Sequence, residues 1–102
     1  MQFYKNYNFF VYITTNNTKT TIYTVVTANL KTRLYYHYKD RKTDREHFTG
    51  EYNCTNLIYW ERHQYILNAI KREKQIKGWT RVKKDALISE FNPEWKFLND
   101  EI

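Results

Sequence analysis

The apolar positions of this chain repeat every second residue in some stretches and every third or fourth in others, and the switches between the two patterns mark its elements. Phe9-Phe10-Val11-Tyr12-Ile13-Thr14 is rich in aromatic and β-branched residues and predicts a first strand. Asn16-Asn17-Thr18-Lys19 follows as a polar turn that tolerates left-handed backbone, and Thr20 to Thr27 predicts a second strand. The two strands should form a hairpin and bring Tyr12 and Tyr23 into one neighbourhood. A helix opens at Ala28-Asn29-Leu30, with Thr27 or Asn29 as its cap, and runs to about Lys39. Leu30, Leu34 and Tyr38 form its stripe. Leu57-Ile58-Tyr59-Trp60 predicts a short third strand.

From Ile66 to Lys77 the helical period returns, and Gly78 stops it. Ile66, Ala69, Ile70 and Ile76 fall on one side of that helix, with Lys71, Lys74 and Gln75 opposite. Thr80 caps a last helix in which Val82, Leu87 and Phe91 are expected to face inward, with Ala86 beside them. Pro93 discourages its continuation, and the tail from Asn99 to Ile102 is expected to fray. The order is strand, strand, helix, strand, helix, helix, an α+β arrangement. Asp40 to Glu51 reads as a charged, exposed loop in which His47 is a candidate substrate contact.

Composition narrows the field. A chain of 102 residues supports one small domain. Aromatic residues make up 19% of it, more than packing alone requires, so some belong in a groove or on the surface. The net charge of +6 favours a polyanionic partner, nucleic acid ahead of an anionic membrane. Cys54 is the sole cysteine, which excludes a disulfide framework and a multi-cysteine zinc site and fits a reduced compartment. The first ten residues carry Lys5 and three Asn or Gln, so they make no secretory signal, and no stretch approaches a transmembrane length. The cytoplasm is the expected location.

One residue breaks the pattern. Glu73 projects into the middle of the apolar side of its helix, between Ala69, Ile70, Ile76 and the stem of Lys77. An ionised carboxylate there needs a cation, either a nearby Arg or Lys or a divalent metal facing a cleft. Arg33 and His37, four residues apart, are neighbours on the first helix. Beside the two tyrosines they make a set suited to phosphate, because the guanidinium fork matches phosphate oxygens.

Taken together, these residues resemble the GIY-YIG nuclease superfamily, in its short single-domain bacterial members. Phe10-Val11-Tyr12 stands where the first motif would be and Tyr23-Thr24-Val25 where the second would be. Arg33 and His37 match the Arg and the His or Tyr of the first helix. Glu73 matches the metal-binding glutamate in its Glu-Lys-x-Ile-Lys context, and Asn92, in Asn92-Pro93-Glu94-Trp95-Lys96, matches the asparagine near the domain's end. The resemblance spans about residues 9–98 and treats 1–102 as one domain. It implies a central three-stranded, mainly antiparallel sheet flanked by helices, and metal-dependent hydrolysis of a DNA phosphodiester in repair or processing. Glu73 would hold Mg²⁺ or Mn²⁺. Arg33 would neutralise developing charge, Tyr12 or Tyr23 would orient or deprotonate water, His37 would add a hydrogen bond and Asn92 would support the site. Lys71, Lys74, Lys77, Arg81, Lys83 and Lys84 would hold DNA, with RNA still open and a protein partner or homodimer compatible. Two glycines of the motifs are replaced, by Phe10 and by Val25. The second replacement narrows the approach to a phosphate and supports an alternative, a catalytically impaired nucleic-acid-binding domain of the same fold.

Overall fold

A computed structural model of the chain describes residues 8–35 and 54–102. Strands β1 (Phe9–Thr15), β2 (Ile22–Thr27) and β3 (Asn56–His63) form an antiparallel sheet in the order β2-β1-β3, so β1 is central and the other two are edges. Helix α1 is described over residues 30–35, and helices α2 (Ile66–Lys77) and α3 (Arg81–Phe91) follow β3. A 3₁₀ turn, Asn99–Glu101, comes last. The rest of α1 towards Lys39, the loop expected over Asp40 to Glu51 with His47, and His37 lie outside the described residues. Among the described residues no helix is long and apolar enough to cross a membrane.

The strict alternation along β1 divides the interior in two. Val11 and Ile13 point to the face covered by α2 and α3, where they meet Ala69, Ile76 and Ile88. Tyr12 points to the other face, among Leu30 and Leu34 of α1, Leu57 and Leu98. Both β1 and β2 obey this parity, because residues directly opposite each other in an antiparallel pair share a face. The β1–β2 turn places Lys19 in left-handed backbone, at φ 60°. The Asn16 side-chain oxygen accepts the amides of Thr20 and Thr21 there, at 2.9 and 3.3 Å. Those contacts hold Thr20 and Thr21 in the turn, so β2 begins at Ile22 and not at Thr20.

In β3 the parity breaks once. Ile13 pairs with Tyr59 but Thr14 pairs with Leu57, which leaves Ile58 as an extra residue. Ile58 and Tyr59 therefore both join the α2–α3 core, while Leu57 joins the α1 core. The outer edge of β3 near this bulge is closed by the C-terminal segment. The Asn92 side chain donates to the carbonyls of Ile58 (3.0 Å) and Lys96 (2.9 Å) and accepts the Lys96 amide (3.0 Å). Asn99 accepts the Leu57 amide and donates to the Thr55 carbonyl, both at 2.9 Å, and the Leu98 amide donates to the Leu57 carbonyl at 2.7 Å. Exposed strand edges invite pairing with other chains, and this segment covers one. The tail is thus ordered where fraying was expected, with Ile102 packed against the α1 core.

Helix α2 matches its expected span. Gly78 ends it in right-handed backbone at φ −82°, its amide bonding to the Lys74 and Gln75 carbonyls. Ile66 is exposed at the start of α2, and Val82 is 79% exposed on α3, although the helical period expects both inside. Helix α3 starts at the β1–β2 turn, where Arg81 donates to the Thr20 carbonyl, and ends at β3, where the Asn92 side chain meets Ile58; Ile88 is its buried residue. Phe91 stacks edge-on against Tyr59 and Trp60, at 5.0 and 6.0 Å between ring centres, and so bridges the two faces around the strand. Thr80 caps α3 as expected, accepting the Lys83 amide at 3.3 Å.

A polar clamp fixes α2 on the sheet. Strand β3 runs three residues beyond Trp60, and Tyr59, Glu61 and His63 share its α2 face. The Glu61 carboxylate accepts the Tyr59 hydroxyl, lies 2.6 Å from His63 Nε2 and takes Arg72 Nε of α2 at 3.0 Å. Burial pushes this carboxyl up, but the hydrogen bonds from Tyr59, His63 and Arg72, with the charge of Arg72, outweigh it and hold the group below its ordinary range. Burial together with the Glu61 carboxylate keeps the Tyr59 phenol protonated.

The edge closure and the clamp can each be tested by unfolding. Asn92→Ala strips partners from two carbonyls and an amide, and should cost about 3 kcal/mol in urea unfolding. An unchanged midpoint would show that the edge closure contributes nothing. Glu61 titrates lower when folded than unfolded, so its contribution is complete at neutral pH and is lost as pH falls through the depressed value. Glu61→Gln should therefore cost about 2 kcal/mol at neutral pH. The gap between parent and variant should narrow as pH falls below the ordinary carboxylate range; a gap independent of pH would rule the clamp out.

Candidate functional site

The hairpin register brings the two motif tyrosines to one face. Tyr12 pairs with Val25 and Thr14 with Tyr23, which sets Tyr23 diagonal to Tyr12 and Val25 directly across from it. Tyr12 is fully buried, whereas Tyr23 in the edge strand is half-buried. Val25 packs against the cluster of Tyr12, Leu30 and Leu34, filling the position where the motif has a glycine. Arg33 is exposed on α1, the helix that covers this face, and its amide bonds to the Asn29 carbonyl at 3.0 Å. Asn29 caps the helix by accepting the Thr32 amide at 3.1 Å.

Glu73 lies on the opposite side of the sheet. Its helical neighbours Ala69 and Ile76 are buried with Val11 and Ile13, and its side chain, 13% exposed, sits in their stripe. Lys77 Nζ is 2.6 Å from its carboxylate, one turn further along α2. The structure therefore gathers Tyr12, Tyr23 and Arg33 about one face and leaves Glu73 on the other. Alternation along β1 is the physical reason. Asn92 is not brought to either set, because its amide is consumed at the edge of β3.

The donor set around Glu73 tests what ion the chain can hold. Among the described residues no group of three or more His, Cys, Asp or Glu side chains converges, so a closed cage of the zinc type is not built. A single carboxylate with room for water and phosphate oxygens suits Mg²⁺, which keeps much of its own hydration. Lys77, itself 55% exposed, can be displaced from Glu73 without opening the core. The residues present offer a hydrated divalent ion one carboxylate, Glu73, once Lys77 moves aside.

The cations expected to hold DNA divide by geometry. Lys71 and Lys74 are exposed on α2, and Lys77 is paired with Glu73. Lys83 lies 4.5 Å over the Trp79 ring, and Lys84 is half-buried on α3. Arg81 is a tie of the fold, donating to the Thr20 carbonyl at 3.0 Å and to Asp85 at 2.8 Å. Sequence reasoning missed Glu61, His63 and Arg72. The signal was the period of two in Tyr59-x-Glu61-x-His63, which extends β3 past the apolar run.

No curated protein matches the chain. Among solved structures, the solution NMR structure of a UPF0213 protein from Bacillus halodurans is 23% identical, with 80% of this chain and 83% of that one covered and a TM-score of 0.49. The sequence pattern of the GIY-YIG catalytic domain matches residues 8–85, a span that holds both tyrosine strands, Arg33 and Glu73 and stops short of Asn92. Over three-quarters of its length the chain carries that pattern on a three-stranded antiparallel sheet with helices, and it belongs to the GIY-YIG catalytic domain family, a family of nucleases.

Proposed function

We propose that this protein is a metal-dependent endonuclease that hydrolyses DNA phosphodiester bonds. The observation that carries the reading is Glu73, a largely buried carboxylate whose partner among the described residues is a displaceable lysine of its own helix. Membership of a nuclease family and the net charge of +6 support it. Glu73 is the residue that would hold Mg²⁺ or Mn²⁺, which supplies polarisation of the scissile phosphate and stabilisation of the leaving oxygen. Lys77, released from Glu73, becomes available to a phosphate oxygen. Arg33 neutralises charge developing on the phosphoryl group. Tyr23, half-buried in an edge strand, is better placed than the enclosed Tyr12 to orient water. His37 keeps its place as a proposed hydrogen-bonding residue, and Asn92 is proposed to support the site only indirectly, by closing the edge of β3.

A second reading, a nucleic-acid-binding domain with impaired turnover, is favoured by one specific arrangement. The tyrosine face and the Glu73 face are separated by the sheet, so a single phosphodiester reaches both only around the edge of β2, the strand that carries Tyr23. Val25 adds bulk beside Tyr12 on that route.

Cleavage assays on supercoiled, branched and single-stranded DNA, with RNA alongside, separate the two. The endonuclease reading expects nicking with Mg²⁺ or Mn²⁺ that falls at least about 10²-fold in Glu73→Ala and in Arg33→Ala. If the parent cuts no DNA with either ion but binds it with steep salt dependence, and Glu73→Gln binds equally well, the second reading stands. Under that outcome Val25→Gly should gain nicking activity if the valine is the obstruction.

A further inference from the structure

An open cleft lies beside the start of α2, lined by His63, Asn68, Lys71, Arg72 and Gln75. Its lining holds two permanent cations, an imidazole and two amides, and no carboxylate. Glu61 sits behind it, bonded to both His63 and Arg72.

Arg72 is held more firmly than a surface arginine. Its Nε donates to both Glu61 oxygens, at 3.3 and 3.0 Å, and one Nη1 hydrogen goes to Gln75 Oε1 at 2.9 Å. Its guanidinium lies 5.3 Å from the centre of the Trp79 ring, which Lys83 also approaches. A guanidinium has five N–H donors, more than Glu61, Gln75 and the neighbouring Tyr59 hydroxyl take up. The planar fork is thus fixed by a carboxylate on one edge and an indole at its face, with donors left over. Fixing the fork in advance removes the ordering cost that a mobile side chain meets on binding an anion. Glu61 offsets one positive charge, so the set suits a monoanion.

From this geometry we infer that the cleft is a docking site for a backbone phosphodiester of a nucleic-acid strand, separate from Glu73. Arg72 and Lys71 hold the phosphate oxygens, while Asn68 and the His63 imidazole complete the contact. Exposed Lys74 further along α2, and Lys83 beyond Trp79, continue the basic track and favour a strand over a free phosphate. The inference rests on the nucleic-acid reading above and gives it a positioning site one helical face away from the metal carboxylate.

The test uses the full chain carrying Glu73→Gln, so that bound DNA is not cut, with a short fluorescent duplex read by anisotropy in EDTA across a salt series. Lys71→Glu should weaken binding by about tenfold, and the salt slope should fall by about 0.9 for each phosphate no longer neutralised. Asn68→Ala, which changes no charge, should weaken it by about threefold. Lys96→Glu, the same charge change on the exit segment, should leave both quantities near the parent's. In ¹⁵N spectra the Arg72 Nε–H signal should move on adding duplex and stay put on adding inorganic phosphate at matched ionic strength. Equal affinities and slopes for Lys71→Glu and Lys96→Glu, with the Arg72 signal unmoved by duplex, would overturn the cleft while the nucleic-acid reading survives. A parent that binds no duplex at any salt overturns both. A shift with inorganic phosphate equal to that with duplex would overturn the assignment to a strand.

Discussion

The unpaired edge of β3 is the constraint on which the rest of the structure depends. A three-stranded sheet has two edges, and the polar groups of residues 55–58 on this one need partners that no strand provides. Asn92 and Asn99 supply them from a segment with no regular structure between. Each side-chain amide carries a donor and an acceptor, so one residue can serve a carbonyl and an amide together. Asn92 reaches Ile58 because α3, which starts at the β1–β2 turn, stops at β3. Trp95 turns the exit in left-handed backbone, at φ 54°, and sends Leu98 back beneath the sheet. Leu98 and Ile102 close the α1 core from that side.

On the other face the organising contact is ionic. Glu61 is satisfied by three neighbours of three chemical kinds, a phenol, an imidazole and a guanidinium. Breaking one partner away would leave charge in a partly desolvated place, which is why single deletions in such networks are costly. The clamp sets the rotation of α2, and that rotation decides which residues of the helix face the sheet. Glu73 reaches the interior stripe because Arg72 is committed to β3. Glu73 and Arg72 are adjacent in sequence yet face different directions, a direct result of 100° per residue.

Much of this was legible in the sequence, and the rest was hidden for identifiable reasons. The hairpin, both α2 termini and the Thr80 cap followed from local chemistry, since alternation, a helix stop and a hydroxyl cap act within a few residues. The shared face of Tyr12 and Tyr23 also followed, once the register joined Thr14 to Tyr23. The interior side of α3 did not, because periodicity assumes a helix that buries a full stripe, and this one buries Ile88 alone. Val82 reads as core for that reason. Asn92 looks like a site residue, but a buried asparagine serves a strand edge and a ligand with the same groups, and only the fold distinguishes them. The separation of Glu73 from the tyrosines is a question of sheet parity, which motif order along a chain does not encode.

That parity turns on Ile58. Were Ile58 drawn into a regular ladder instead of being left out of the pairing, the residues from Tyr59 onward would exchange faces relative to Leu57. Glu61 and His63 would then face α1, and Trp60 would face α2. The bulge works as a phase shifter, converting a sequence offset of one into the choice of which side of the sheet is charged. Tyr59 stays on the α2 side only while Ile58 is left out of the pairing with β1. The polar side of the molecule is thus set by how β3 pairs as much as by the identities of its residues.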